Sequence, residues 1–282
     1  MKSLFIILFL TLFAQFGTAQ TPDTFPGQTA KSAAEMLQLL NTQVGISDAR
    51  YFAEIMGTVP GVGSNAEQLL TAQSVKSYMM PPREATGKRD MESYALAACL
   101  EFYTNYRQNY KVNLSPDYIN LSLRNGAQAE QLGNAFKFLM ENGTVSAAIL
   151  PYGATAISSA VYATQKYQIK NYLHLFRTDS KPRQKVFETR RALMRGHPVL
   201  LQMKVDDNFL ILKNTRYWTP ASTTENANQR ETVIAVGYDE DLEAFELLTF
   251  RGTGWGNNGY IYVDYEDFGK YVADGFVLVY RE

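Results

Sequence analysis

This 282-residue chain contains little cysteine and little histidine, and it carries almost no net charge. A single cysteine, Cys99, excludes an internal disulfide, and two separated histidines, His174 and His197, do not make a metal-binding cluster. The 27 basic and 28 acidic residues leave a net charge of −1, which gives no overall field to attract nucleic acid. We therefore expect no metal, no cofactor and no nucleic-acid partner.

Long apolar runs are also missing, apart from one at the start. A lysine precedes the apolar stretch from Leu4 to Phe16, and the small residues Gly17 to Ala19 follow it. This pattern is typical of a secretory signal peptide, and it is shorter than the roughly 20 apolar residues of a membrane-spanning helix. We expect residues 1–19 to be removed and the protein to be exported, to a periplasmic, outer-surface or extracellular location, with no transmembrane segment.

Helical patterns fill the first half of the chain and strand patterns fill the second, which predicts an α+β fold. Residues 20–30 have the composition of a linker, and a helical extension is predicted to continue to residue 78, with its last helix from Asn65 to Tyr78. Later helices are predicted at residues 90–110, from Pro116, at 127–142 and at 185–195, and strands at 198–203, 232–238, 244–250, 259–263 and 276–280.

A glycine-rich run near the end of the chain is the most specific motif. Gly252-Thr-Gly-Trp-Gly-Asn-Asn-Gly-Tyr260 follows the strand pattern Glu231-Thr-Val-Ile-Ala-Val-Gly-Tyr238, and the two together resemble the C-terminal signature of papain-like cysteine peptidases. The resemblance holds in order and spacing over residues 79–282, and it implies a papain-like two-lobe fold. A helical lobe would then occupy about 79–150, and an antiparallel β-barrel lobe about 151–282.

The four catalytic positions of that family are all replaced in this chain. The resemblance places Ser93 at the nucleophilic cysteine and Glu231 at the histidine. It places Thr249 at the asparagine that orients the histidine, and Gly87 at the glutamine of the oxyanion hole. A cysteine thiol at a helix N-terminus can be held as a reactive thiolate, whereas a serine hydroxyl needs a nearby base. A glutamate with an ordinary pKa of about 4.3 is a poor base for this purpose. The resemblance therefore implies a pseudopeptidase, an inactive peptidase without catalytic residues.

Binding is the function that remains once the chemistry is lost. The cleft of an inactive peptidase keeps the shape to hold an extended chain, so we expect a protein or peptide partner. Tyr94, Glu231, Arg251 and Trp255 are the predicted binding residues. Two alternatives stay open: a serine-type hydrolase that uses Ser93 with Glu231, and a subunit of a cell-envelope assembly.

Two further expectations concern the surroundings of the replaced positions. Arg251, at the place of a family tryptophan, is expected to pair with Glu231 or Glu92, and Ser93 is expected to cap its helix or to bond Glu231. The helical extension from Lys31 to Tyr78 takes the place of the family's inhibitory prosegment. It is either a permanent element that covers the cleft, an arm for a partner, or a segment removed by cleavage near Met79.

Overall fold

The computed structural model describes most of the chain after the predicted signal peptide and linker, both of which lie outside the described residues. None of the helices in this part is long and apolar enough to cross a membrane. The described residues are 33–48, 52–59, 71–85, 87, 90–108, 111–124, 132–221 and 223–281.

Helices dominate the first half of these residues and strands dominate the second, which confirms the predicted α+β fold. The helices are α1 (Ala33–Thr42), α2 (Phe52–Ile55), α3 (Met91–Gln108), α4 (Pro116–Arg124), α5 (Leu132–Glu141), α6 (Pro182–Met194), α7 (Asp207–Leu210) and α8 (Tyr265–Tyr271). The strands are β1 (Ala72–Ser74), β2 (Ile169–Phe176), β3 (Val199–Val205), β4 (Gln229–Asp239), β5 (Ala244–Leu248), β6 (Tyr260–Asp264) and β7 (Val272–Tyr280).

The strands form a sheet of the order β2-β7-β3-β4-β5-β6, and β1 pairs with β4 as well. All of the pairings are antiparallel. Strand β4 places Glu231 opposite Met203 of β3, whereas its other end, at Asp239, lies opposite Ala72 of β1. Glu231 and the β1 pairing are therefore at opposite ends of the same strand.

Helix α3 is the central helix of the helical lobe. Its residues from Ser93 to Thr104 are buried without a polar face, which is typical of a helix enclosed by other elements. It contacts α4 and α5 within its own lobe, and β3, β4 and β7 of the sheet. The first turn of α3 thus lies at the junction of the two lobes, where a papain-like fold has its cleft.

Local signals in the sequence predicted several helix ends correctly. Ser115 caps α4, because its hydroxyl accepts a hydrogen bond from the backbone amide of Tyr118 at 3.2 Å. Gly143 and Gly196, which follow α5 and α6, have φ angles of +70° and +81°. This left-handed conformation is the one in which glycine is favoured at helix ends.

One predicted helix, from Asn65 to Tyr78, is wrong over its described part. Residues 72–74 form β1 instead, and a short 3₁₀ turn follows at residues 76–78. Pairing with the far end of β4 satisfies the backbone of this segment, and such long-range pairing overrides local helix propensity.

The segment before β1 is built into the core. The backbone amide of Ile46 donates to the carbonyl of Tyr172 at 3.0 Å, and the amide of His174 donates to the carbonyl of Ile46 at 2.8 Å. Ile46 therefore adds a bridge to the edge strand β2. Phe52 and Met56 are buried in the same core as the sheet. These contacts attach the described part of the extension to the strand-rich lobe.

Candidate functional site

Ser93 lies in the first turn of α3 and is buried. Because α3 already begins at Met91, Ser93 is not the capping residue that we expected. Within the part of the chain that the structure describes, its hydroxyl makes no hydrogen bond, to Glu231 or to any other residue. Its side chain thus has no base in hydrogen-bonding contact to activate it.

Asp90, just before α3 and three residues after Gly87, is a buried carboxylate. Its Oδ1 accepts hydrogen bonds from Asn120 and from the guanidinium of Arg124, both at 2.5 Å. A Cβ atom added at Gly87 would lie 3.3 Å from Asp90 Oδ2. The described polar atom nearest to the Gly87 position is therefore a carboxylate oxygen, which accepts hydrogen bonds and does not donate them as an amide does.

Glu231 forms an ion pair with Arg251 inside the junction between the lobes. The guanidinium donates to Oε1 of the carboxylate, and the two side chains are 15% and 2% exposed. The prediction that Arg251 pairs with Glu231 or Glu92 is confirmed for Glu231. Strand β4 holds the backbone of Glu231. An antiparallel β-bridge between Glu84 and Arg251 holds the backbone of the arginine.

Glu92 faces β3 and β4 rather than Arg251. Its Oε1 accepts a hydrogen bond from Gln202 at 3.1 Å. Burial raises the pKa of Glu92, while the hydrogen bond from Gln202 and the charge of Arg230 act in the opposite direction. The first turn of α3 is thereby tied to the end of the sheet that carries Glu231.

Thr249 is held as a structural residue. Its hydroxyl donates to the carbonyl of Gly259 at 3.1 Å, and its amide donates to the same carbonyl at 2.9 Å. These bonds join the end of β5 to the glycine-rich loop. The Thr249 side chain therefore orients the glycine-rich loop and is not bonded to a catalytic base.

Comparison with known proteins gives the family. A family model described as papain family cysteine protease matches residues 93–273, which is more than half of the chain. The chain belongs to the papain family. It is 24% identical over 191 residues to the gamete and mating-type specific protein A of Dictyostelium discoideum, covering 66% of this chain and 40% of that protein. It is also 24% identical over 164 residues to Peptidase 1 of Euroglyphus maynei, covering 57% and 49%.

This papain-family chain thus spans less than half the length of these two relatives. Solved structures show the same two-lobe fold. Xylellain, a cysteine protease from Xylella fastidiosa, superposes with a TM-score of 0.58 at 16% identity, covering 85% of this chain and 95% of that one. The ragweed pollen allergen Amb a 11, a cysteine protease in its proform, gives a TM-score of 0.62 at 15% identity, covering 87% and 76%. At such identities the likeness shows the fold alone.

The predicted binding residues Tyr94 and Trp255 are both buried in this papain-family chain. The Tyr94 ring packs 6.2 Å from Phe250, and burial raises the pKa of its hydroxyl to about 12, with the negative charge of Asp117 adding to the shift. The Trp255 indole donates to the carbonyl of Phe209 at 2.8 Å. Both side chains are part of the hydrophobic core, and their contact with a ligand stays a prediction.

Both histidines are engaged in structural contacts. His197 lies 2.6 Å from the carbonyl of Gly57 through Nε2 and 3.0 Å from the Tyr103 hydroxyl through Nδ1. Burial lowers the pKa of His197 to about 4, so the ring is neutral and its Nε2 donates to the extension. His174 contacts Asp274 at 2.8 Å. Among the described residues there is no group of three histidine, cysteine or acidic side chains that could hold a metal ion.

Sequence reasoning missed the buried carboxylate of Glu101, which lies more than two turns after Ser93 on α3. Burial raises its pKa to about 7, and the opposing charge comes from Arg83, whose Nη2 lies 2.9 Å from both carboxylate oxygens. The amide of Leu114 also donates to it at 2.6 Å. A glutamate inside the apolar run of α3 was the available signal, because such a residue requires a buried partner.

Proposed function

We propose that this papain-family chain is an exported pseudopeptidase that binds a protein or peptide segment in the cleft between its lobes and does not hydrolyse it. The observation that carries the proposal is the buried ion pair between Arg251 and Glu231. It stands where the family resemblance places the catalytic histidine and the tryptophan beside it. Export rests on the signal-peptide pattern of residues 1–19.

The ion pair supports the loss of base catalysis. A general base must offer a lone pair to the hydroxyl that it deprotonates, within about 2.6–3.2 Å. The Glu231 carboxylate is instead held by a guanidinium, which engages an oxygen and stabilises the ionised form. Ser93 has no hydrogen bond to it among the described residues, so the pair lacks the contact of an activated nucleophile.

The surroundings of Gly87 support the loss of oxyanion stabilisation. A side-chain donor in an oxyanion hole contributes about 3 kcal/mol to transition-state binding in other hydrolases. Gly87 supplies no side chain, and the nearest atom to its missing Cβ is a carboxylate oxygen of Asp90. The serine-hydrolase alternative needs both a base and an oxyanion donor, and no feature of the described residues favours it.

The path of the extension supports a binding function for the cleft. Strand β1 pairs with Gly237–Asp239, at the end of β4 remote from Glu231. The segment around Ile46 lies on the edge strand β2. These described parts of the extension leave the Glu231 end of the sheet to a ligand, which can add to it as an extended chain.

A serine-reactive fluorophosphonate probe tests the proposal. We expect no labelling of Ser93 in the folded protein, because neither base nor oxyanion donor is in place, and the same faint background in the Ser93→Ala variant. An active serine hydrolase labelled in parallel shows that the probe is competent. Labelling of the wild type that disappears in Ser93→Ala would overturn the pseudopeptidase assignment.

A further inference from the structure

We propose that a large cavity between the extension and the papain-like lobes binds an apolar molecule that carries one carboxylate on an alkyl body. The cavity has a volume of about 1280 Å³ and is partly open to solvent. Most small-molecule pockets have volumes of roughly 300–1,000 Å³, so this cavity has room for such a ligand. The inference does not depend on the function proposed for the cleft.

The cavity lies at the end of α3 that is remote from Ser93. Tyr103, Tyr106 and Arg107 of α3 line it. Because a helix rises about 1.5 Å per residue, these side chains start about 15 to 21 Å further along α3 than Ser93. The cavity is therefore separate from the cleft in which the family resemblance places the catalytic positions.

The extension supplies one wall of the cavity. Met56 and Val59, which follow α2, line it with apolar side chains. Their segment is attached to the papain-like lobes, because the amide of Val59 donates to the carbonyl of Arg195 at 2.8 Å. The carbonyl of Gly57 lies 2.6 Å from Nε2 of His197. A molecule in the cavity would thus contact the extension and the lobes together.

The papain-like lobes supply the remaining apolar lining. Met140 of α5 and Val279 of β7 contribute to it, and the rings of Tyr103 and Tyr280 stack beside them with centroids 6.4 Å apart. The Tyr103 hydroxyl lies 3.0 Å from Nδ1 of His197. These two polar groups satisfy each other, so they do not require a polar partner from a ligand.

Three cationic side chains lie around Tyr280 at this lining. Lys170 follows Ile169, which is paired with Tyr280 across the sheet. Arg281 follows Tyr280 in the chain, and the guanidinium carbon of Arg107 lies 5.8 Å from the centre of the Tyr280 ring. All three cations line the cavity. A carboxylate near Tyr280 would therefore meet positive charge from three parts of the chain.

Lys170 is the cation best placed to bind a carboxylate. The register of β2 against β7 shifts between Ile169 and Asn171, so Lys170 lies at a β-bulge or similar irregularity. Such irregularities re-aim side chains and are frequent beside functional sites. Lys170 is half-buried, and within the part of the chain that the structure describes its ammonium makes no hydrogen bond or ion pair. It retains three N–H donors for a ligand.

Positive charge exceeds negative charge in the described lining. Glu141, at the end of α5, is the acidic side chain among these residues; it is 60% exposed and lies 3.9 Å from Lys137. Arg281 donates to the neutral amide of Gln168 at 2.9 Å. The local charge therefore favours an anionic ligand over a neutral or cationic one.

Titration calorimetry of the full-length protein at neutral pH tests the inference. Decanoate, 1-decanol and decyltrimethylammonium share a decyl chain and differ in the charge of the head group. We expect decanoate to bind at one site about tenfold more tightly than decanol, because its carboxylate accepts charge-assisted hydrogen bonds from Lys170. The cation should not bind detectably. Decanoate should also raise the midpoint of thermal unfolding in a concentration-dependent way.

Matched lysine variants locate the site. Lys170→Gln should lower the affinity for decanoate about tenfold and leave the affinity for decanol unchanged. Lys204→Gln is the control and should bind decanoate as the wild type does. Lys204 is also a half-buried lysine without a hydrogen bond or ion pair among the described residues, but it lies on β3 opposite Arg230 and does not line the cavity.

Arg281→Gln gives a second variant of the same cavity. Arg281 is exposed near the end of the chain, so its replacement should leave the unfolding midpoint of the ligand-free protein unchanged. We expect the affinity for decanoate to fall several-fold, with no change in the affinity for decanol. This variant tests the cationic cluster even where Lys170→Gln alters the fold.

Several results would overturn the inference. Absence of decanoate binding to the wild type would show that the cavity does not take this class of molecule. Equal affinity for decanoate and for decanol, or for decanoate and for the cation, would remove the requirement for a carboxylate. Equal losses in Lys170→Gln and Lys204→Gln, or no loss in Lys170→Gln and Arg281→Gln, would place the bound decanoate outside the cavity.

Discussion

Replacing Arg251 with alanine is expected to lower the free energy of unfolding by about 3–5 kcal/mol, because it leaves the Glu231 carboxylate buried without its guanidinium. Glu231 is 3% exposed as a residue, so water cannot replace the lost partner. The size of the effect separates a buried pair from a surface pair, which contributes at most about 1 kcal/mol. Denaturant unfolding of the wild type and the variant measures it.

A double-mutant cycle shows whether the loss belongs to the pair. The combination of Arg251→Ala with Glu231→Ala should cost much less than the sum of the single changes, because no uncompensated charge remains. Lys270→Ala is the control, since Lys270 pairs with Glu266 on the surface of α8. We expect it to unfold as the wild type does. Two results would contradict a buried ion pair. One is a denaturant midpoint for Arg251→Ala equal to that of the wild type, and the other is a double variant whose loss in free energy of unfolding equals the sum of the single losses.

The second large effect concerns the extension. Phe52→Ala is expected to lower the free energy of unfolding of the whole protein by about 3–5 kcal/mol. Phe52 is fully buried, its ring meets His197 edge-on at 5.9 Å, and Arg191 lies 5.1 Å from the ring centre. The loss of so many contacts should shift the single unfolding transition of the chain.

Leu37→Ala gives the matched control in the same extension, because Leu37 of α1 is 51% exposed. It should leave the transition almost where it is in the wild type. A detachable prosegment behaves differently: Phe52→Ala would then loosen the extension and leave the transition of the papain domain unchanged. From the buried contacts of Phe52 we propose that the extension is a permanent part of the fold, and that second result would contradict it.

The sequence predicted those features whose causes are local or carried by the family resemblance. Ser115 caps α4 through its own backbone neighbours, and Gly143 ends α5 by its own conformation. The pairing of Arg251 with Glu231 was predictable because the resemblance placed Glu231 at the family's histidine and Arg251 at a tryptophan beside it. Each of these features depends on few contacts between distant parts of the chain.

Features that depend on tertiary packing were missed. Strand β1 exists because Ala72 meets Asp239 across the sheet, and nothing in its own sequence favours a strand. The environment of Asp90 is made by Asn120 and Arg124 of another helix. These hydrogen bonds form only when α3 and α4 are packed together.

The absence of an activated nucleophile is the central claim, and peptide hydrolysis tests it most directly. The full-length protein would be incubated with a diverse library of peptides, and mass spectrometry would detect new termini, with Ser93→Ala as the reference. Because Glu231 is held by Arg251 and Gly87 offers no side-chain donor, we expect the wild type and the variant to give the same pattern. Cleavage by the wild type that Ser93→Ala abolishes would contradict the claim.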